Sequence, residues 1–240
     1  PIIGTQILFN FKGEVGSFPL IAKSEIGYKR IIELSSKSYL ENNESFEPQC
    51  LFDDLIEKPL GIILLSGSIN SLIGNLFNKG KFSEIEEIYK IIKNKYKDNF
   101  YIEIQRHNDL NEKSFENYNL NLSRKFEIPI IATNEVYYLN KSMHDAHEAL
   151  ICIGRKTYLN DKNRVSFSDQ HYFKSSDEMQ KLFLDLPEAL ENNYNLPLRC
   201  SFRPVKSKPI LPNISSAKSG NTDQDLANYS EEGLINKFLN

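Results

Sequence analysis

The sequence predicts an α/β fold built around a parallel sheet, and three observations carry that prediction. Residues 61–67, 100–105 and 129–136 are short runs rich in Ile, Leu and aromatic residues, bounded by Gly, Pro or polar groups, as buried strands are. Helix-forming, amphipathic sequence lies between successive runs. The repeating β-α order favours parallel strands, in a closed or open sheet, joined by right-handed crossovers. Folds of this class keep their sites at the carboxyl ends of strands. Here residues 103–107 and 134–138 end two of the runs in groups suited to a metal or a phosphate.

The elements follow in order. Residues 1–11 alternate between apolar and polar and read as a strand, broken by a turn at Gly13, Gly16 and Pro19. A second short strand spans residues 18–22. Ser24 is placed to cap a helix whose apolar face comprises Ile26, Tyr28, Ile31, Ile32, Leu34 and Tyr39. Residues 41–48 are polar and read as a loop, and 51–56 as a short helix. Residues 61–67 have no polar interruption, as expected of a strand covered on both faces. Ser83 and Glu86 have capping-box spacing before a helix with the stripe Ile85, Ile88, Tyr89, Ile92 and Tyr96. After the strand at 100–105, Asn111 caps a helix with the stripe Phe115, Tyr118, Leu122 and Phe126. The strand at 129–136 precedes a helix over 142–153. Ser175 and Glu178 form a second capping box, and Asp185 caps a helix with Pro187 in its first turn. From Pro197 the texture changes. Pro197, Pro204, Pro209 and Pro212 lie among Arg199, Arg203, Lys206 and Lys208, which predicts an extended linker. Leu226, Leu234 and Phe238 then mark a further helix.

The chain has 240 residues, 40% hydrophobic and 25% charged, enough to bury a sizeable core. Its 29 basic and 32 acidic side chains argue against a module whose main task is neutralising phosphates, although a local basic patch is compatible with them. Cys50, Cys152 and Cys200 are too far apart for a zinc knuckle or redox motif, which suits a reducing compartment. No apolar run approaches the roughly 18 residues needed to span a bilayer, so a cytoplasmic protein without a membrane partner is expected. The chain starts at Pro1 inside a strand pattern and stops at Asn240 inside a helical one, which reads as a piece of a longer protein.

His107, beside Arg106 and near Glu103, is a candidate metal ligand or phosphate contact; the plainer reading is a loop histidine bonded to backbone. Alternation points Glu135 and Tyr137 the same way. A carboxylate and an imidazole at that spacing would chelate, but a neutral phenol is a poor ligand for divalent metals. His144, Asp145, His147 and Glu148 share a helix, without H-E-x-x-H spacing, and read best as a helix N-terminal cluster. There is no P-loop, no G-x-S-x-G and no G-x-G-x-x-G.

Six segments in order carry a resemblance: 1–4, 61–67, Glu103 to His107, Ile131 to Val136, Asp145 to Glu148, and Leu186 to Leu190. Together they resemble the amino-terminal PHP (polymerase and histidinol phosphatase) domain of the bacterial DNA polymerase III alpha-subunit family. The resemblance implies a distorted (β/α)7 barrel over residues 1–196, truncated at its amino end. A Pro-rich, basic linker over 197–220 and the start of a helical polymerase core over 221–240 would follow. It also implies a barrel mouth that in intact members holds divalent metals on His, Asp and Glu, with proofreading exonuclease activity in some. This chain departs from that pattern. Gln6 stands where a carboxylate is expected, and Thr133-Asn134-Glu135-Val136-Tyr137-Tyr138 has lost its histidine and lengthened its aspartate. The implied metal residues are His107 and Glu135, as a remnant site, and the departures argue against Zn2+ or Mn2+ there. No catalytic or cofactor-binding residue is expected within these residues. The implied function is a part of a replicative polymerase that synthesises DNA from dNTPs with Mg2+ held elsewhere, this part being structural and docking a proofreading exonuclease and other replicase subunits. A metal-dependent PHP phosphoesterase or exonuclease, and an interaction barrel from another pathway, are the competing readings.

Overall fold

A computed structural model describes residues 2–41, 47–206, 208–209 and 221–238. The chain divides into two compact units, Pro1–Arg203 and Pro204–Asn240. In the first, β1 (Gly4–Phe11) and β2 (Glu14–Ala22) form a hairpin, followed by α1 (Glu25–Leu40), β3 (Gln49–Leu51), α2 (Phe52–Glu57), β4 (Ile62–Leu65), α3 (Leu72–Asn78) and α4 (Phe82–Tyr96). Then come β5 (Phe100–Ile104), α5 (Glu112–Phe126), β6 (Ile130–Ala132), α6 (His144–Arg155), α7 (Ser176–Leu182) and α8 (Pro187–Leu198). The second unit contains α9 (Thr222–Phe238), a helix where one was expected. No helix among the described residues is long and apolar enough to cross a membrane.

The sheet is mixed, not purely parallel, with strand order β3-β1-β2-β4-β5-β6. β4, β5 and β6 are parallel and buried along their whole length, as their apolar runs require. β2 is antiparallel to β1, because a two-residue turn at Lys12 and Gly13 closes the hairpin, and it is antiparallel to β4 as well. Gly16 and Pro19, expected in the turn, lie inside β2. A Cβ at Gly16 would come within 2.4 Å of the Leu72 backbone, so the strand needs glycine for α3 to pack on it. Pro19 falls just past the last β2–β4 pair, Leu20 with Leu64, so its missing N–H costs no rung to β4. Six strands are described against the seven of the implied barrel, and their order is linear.

Several helices form as their patterns predict. Every residue of the α4 stripe is buried, and the Ser175–Glu178 capping box opens α7. Ser24 caps α1, but the buried face of that helix is Gly27, Arg30, Ile31, Leu34 and Ser38, leaving Ile26 65% and Tyr39 73% exposed. Gly27 explains the rotation: a Cβ there would sit 1.8 Å from the Gly61 carbonyl oxygen. The capping box expected at Ser83 does not form. α4 starts at Phe82, and Glu86 pairs with Lys125 at 2.7 Å. Asn111 is the N-cap of α5 in the left-handed region (φ 64°), yet its amide donates to Asn78 Oδ1 at 3.1 Å rather than capping. The third run is strand only over Ile130–Ala132, since Thr133 onward turns into the site described below. Asp185 does not cap α8; Leu186 holds that position with Pro187 following, and Asp185 binds Arg106.

Pro197 lies in the last turn of α8, so the chain has not left the first unit there. Arg199 donates to the Asp98 carbonyl at 2.9 Å and to Asn99 Oδ1 at 2.7 Å, and Phe202 stacks on Tyr28 with ring centroids 4.8 Å apart. Much of the expected linker, residues 207 and 210–220, lies outside the described residues, as do Pro1, the loop core 42–46 and residues 239–240.

Candidate functional site

The parallel strands deliver polar groups to one end of the sheet. Ser66, just past β4, accepts the Glu103 N–H at 2.9 Å. The Glu103 carboxylate lies 6% exposed at the end of β5, where Thr133 and Gln105 donate to Oε1. Burial pushes its carboxyl upward, against those two hydrogen bonds. Residues 105–111 then wrap around Glu112, the first residue of α5. Its carboxylate accepts the backbone N–H of His107 at 2.7 Å and of Asn108 at 2.8 Å. That bracket, together with Asn108 at φ 62°, turns the loop back and buries His107 to 1% exposure.

A distant segment completes the site. His171 is fully buried, and its ring stacks on His107 with centroids 4.1 Å apart and planes 3° from parallel. Main-chain bonds from Tyr137 N–H to the His171 carbonyl (2.9 Å) and from Phe173 N–H to the Tyr138 carbonyl (2.9 Å) lay this segment alongside residues 137–138. The Ser168 hydroxyl donates to the His107 carbonyl. Asp109 Oδ2 stands 3.6 Å from His171 Nε2, and His171 draws that carboxyl below its usual range. Beside the histidines opens a cleft of about 540 Å³ lined by Asn78, Asp109, Asn111, Glu135, Tyr137 and Phe167.

Of the residues expected to form a site, His107 is central and Glu135 is adjacent, its Oε2 4.0 Å from His171 Nδ1. One ligand atom from each of His107, Asp109 and His171 lies within 4.8 Å of the others, a group that omits Glu135. Neither Asp109 nor His171 belongs to a sequence motif that marks it as a donor. Asp109 had a weak signal, two residues past a candidate ligand; His171 had none beyond being one of four histidines. Tyr137 lies at the edge, its ring 5.0 Å from that of His171 and its hydroxyl pushed up by burial beside Glu135. Gln6 is exposed on β1, in register with Pro19.

The helix cluster separates. His144 bonds the Phe167 carbonyl at 2.9 Å, and His147 stacks on Tyr137 at 5.3 Å. Glu148 is 3% exposed and binds Arg164, the Ser166 hydroxyl (2.7 Å) and the Phe167 N–H (3.0 Å). Burial pushes its carboxyl up, but these partners outweigh it and bring the pKa to about 2, from 4.5. A folded-state value below the unfolded one gives stability that is present above about pH 4.5 and lost as pH falls toward 2. Urea unfolding across that window is expected to show a loss of stability that is smaller in Glu148→Gln, the remainder coming from other lowered carboxyls such as Asp109 and Glu116. Equal pH slopes in both proteins would contradict this assignment.

Residues 1–107 match the PHP domain family. Asp109, Glu135 and His171 therefore lie beyond the match. Nearly the whole chain is similar to proteins named DNA polymerase III subunit alpha. It is 36% identical to that of Rickettsia bellii over 238 residues, covering 98% of this chain and 20% of the relative. It is 35% identical to that of Caulobacter vibrioides over 215 residues, covering 90% and 19%. It is 34% identical to that of Rickettsia prowazekii over 242 residues, covering 100% and 20%. The chain spans about one fifth of the length of these curated relatives.

Proposed function

On the premise that the chain is a PHP-domain relative of DNA polymerase III alpha subunits, we propose that it is part of a replicative polymerase. The observation that carries the reading is the similarity to alpha subunits along 90% or more of the chain. The whole protein would extend DNA from dNTPs with Mg2+ on carboxylates outside these residues. Residues 1–196 would form the PHP domain, with a barrel closed beyond the six described strands. Residues 197–220 would lead to the polymerase core beginning at 221–240.

Within that protein the domain would be structural, and His107 with Glu135 would be what remains of the family's multi-metal site. It would also dock a proofreading exonuclease subunit and other replicase subunits. The outer stripe of α6 supports a docking role, since Leu150 and Ile153 are 63% and 76% exposed there. Changing both to Asp is expected to weaken capture of the exonuclease subunit by about tenfold or more, measured by surface plasmon resonance. Unchanged capture would remove this face from the reading.

The protein encoded by the complete reading frame is expected to extend a primed template with dNTPs and Mg2+, and the chain alone is not. A reading frame without a downstream Asp-x-Asp pair, or a full product that extends no primer, would sink the polymerase reading. A metal-dependent phosphoesterase is the second reading, favoured by the acidic cleft beside two buried histidines. It predicts phosphoester hydrolysis by the chain alone.

A further inference from the structure

Two buried imidazole nitrogens in the site have no hydrogen-bond partner among the described residues: Nδ1 of His107 and Nε2 of His171. A buried polar atom left unpaired is costly, so both positions call for an occupant. The opposite nitrogen of each ring faces an oxygen. His107 Nε2 is 3.1 Å from Asn134 Oδ1, and His171 Nδ1 is 3.2 Å from the Glu135 carbonyl. The amide of Asn134 is held in that orientation, because its Nδ2 donates to the Tyr172 carbonyl (2.9 Å) and its Oδ1 accepts from Lys174 (3.1 Å). A proton on each of these outer nitrogens leaves the lone pairs on the two orphan atoms. That is how ligating histidines are held, with the second nitrogen donating to an oxygen.

The Glu135 N–H also approaches His107 Nε2, at 3.2 Å. That contact belongs to the other tautomer, which points an Nδ1 proton toward Glu112 Oε1 at 3.4 Å. A cation at Nδ1 selects the first tautomer. The third donor is in place, with Asp109 Oδ2 3.6 Å from His171 Nε2. Two ligands about 2.1 Å from a shared tetrahedral ion stand about 3.4 Å apart.

We propose that His107, Asp109 and His171 bind one divalent cation, with His171 supplying from the 166–175 segment the imidazole that position 137 lacks. Two imidazoles and one carboxylate suit Zn2+, Fe2+ or Mn2+ rather than Ca2+ or Mg2+. The rings now lie parallel, so closing on one ion tilts them apart. The ion would tie residues 105–112 to 166–175. The inference goes beyond the role in replication and does not depend on it, since it rests on two unpaired imidazole nitrogens and the carboxylate beside them.

The test uses the tag-free chain, stripped by chelator and dialysed against Zn2+ or Mn2+, with metal content read by mass spectrometry and Co2+ loading by visible absorption. About one ion per chain is expected for the wild type. The isosteric Asp109→Asn and the truncation His171→Ala are each expected to weaken binding at least about tenfold. Glu135→Gln is expected to weaken binding less than either, because no Glu135 oxygen is among the three grouped donors. Circular dichroism of the metal-free variants separates loss of the site from loss of the fold, and the mildness of Asp109→Asn keeps the test decisive if His171→Ala unfolds. A wild-type chain that holds no stoichiometric ion, or variants at 109 and 171 that bind unchanged, would overturn the proposal. So would loss of binding in Glu135→Gln with Asp109→Asn unaffected.

Discussion

Arg106→Ala is expected to lower the unfolding free energy by about 3–5 kcal/mol, the cost of leaving one partner of a buried pair alone. Arg106 grips Glu116 through Nε (2.9 Å) and Nη2 (2.8 Å), and Asp185 through Nη1 (2.7 Å) and Nη2 (2.8 Å). Its Nη1 also donates to the Leu182 carbonyl at 2.6 Å, and its guanidinium lies over the Phe183 ring at 4.7 Å. Glu116 is 3% exposed, so without the guanidinium its carboxylate keeps only Lys113. This one side chain joins α5 to the turn between α7 and α8, next to the His107 loop. For a unit of this size the melting temperature should fall on the order of 10 °C. Arg106→Lys should fall between the two, because a point charge cannot serve two carboxylates in forked geometry. Thermal melts of the three proteins check the order. A loss below about 1 kcal/mol in Arg106→Ala would mean that the grip contributes no more than a surface pair.

The second large effect sits on α1. Leu34 is fully buried, whereas Ile26 is 65% exposed on the same helix. Leu34→Ala is expected to cost about 2–5 kcal/mol and Ile26→Ala within about 0.5 kcal/mol. Urea unfolding of both variants tests the rotation of the helix. Equal losses would restore the apolar face that periodicity alone suggests.

That helix shows where the sequence was legible. Its existence, its Ser24 cap and its approximate ends were readable, because propensity and capping are local. Its rotation was not. The close approach of Gly27 to Gly61 turns Arg30 inward, where its Nη2 donates to the Asp54 carbonyl at 2.6 Å, and turns Ile26 outward. By contrast the buried face of α4 follows from periodicity alone, since no other buried residue competes with its five stripe positions. The capping boxes divide in the same way. Ser175 forms one, while at Ser83 the helix had already started at Phe82.

The site follows the same division. By itself the sequence determined that β5 carries Glu103 near its end with His107 just beyond it, that β4, β5 and β6 are buried strands, and that position 137 offers a phenol rather than an imidazole. Strand patterns and motif order are properties of neighbouring residues, so one chain suffices to read them. Only the tertiary structure decided that β2 runs antiparallel, that Glu148 is taken up by Arg164, and that His171 stacks on His107 from 64 positions away. No periodicity couples segments so far apart; hydrogen bonds from residues 137–138 to 171–173 set that approach, and they form only when the fold brings the two segments together.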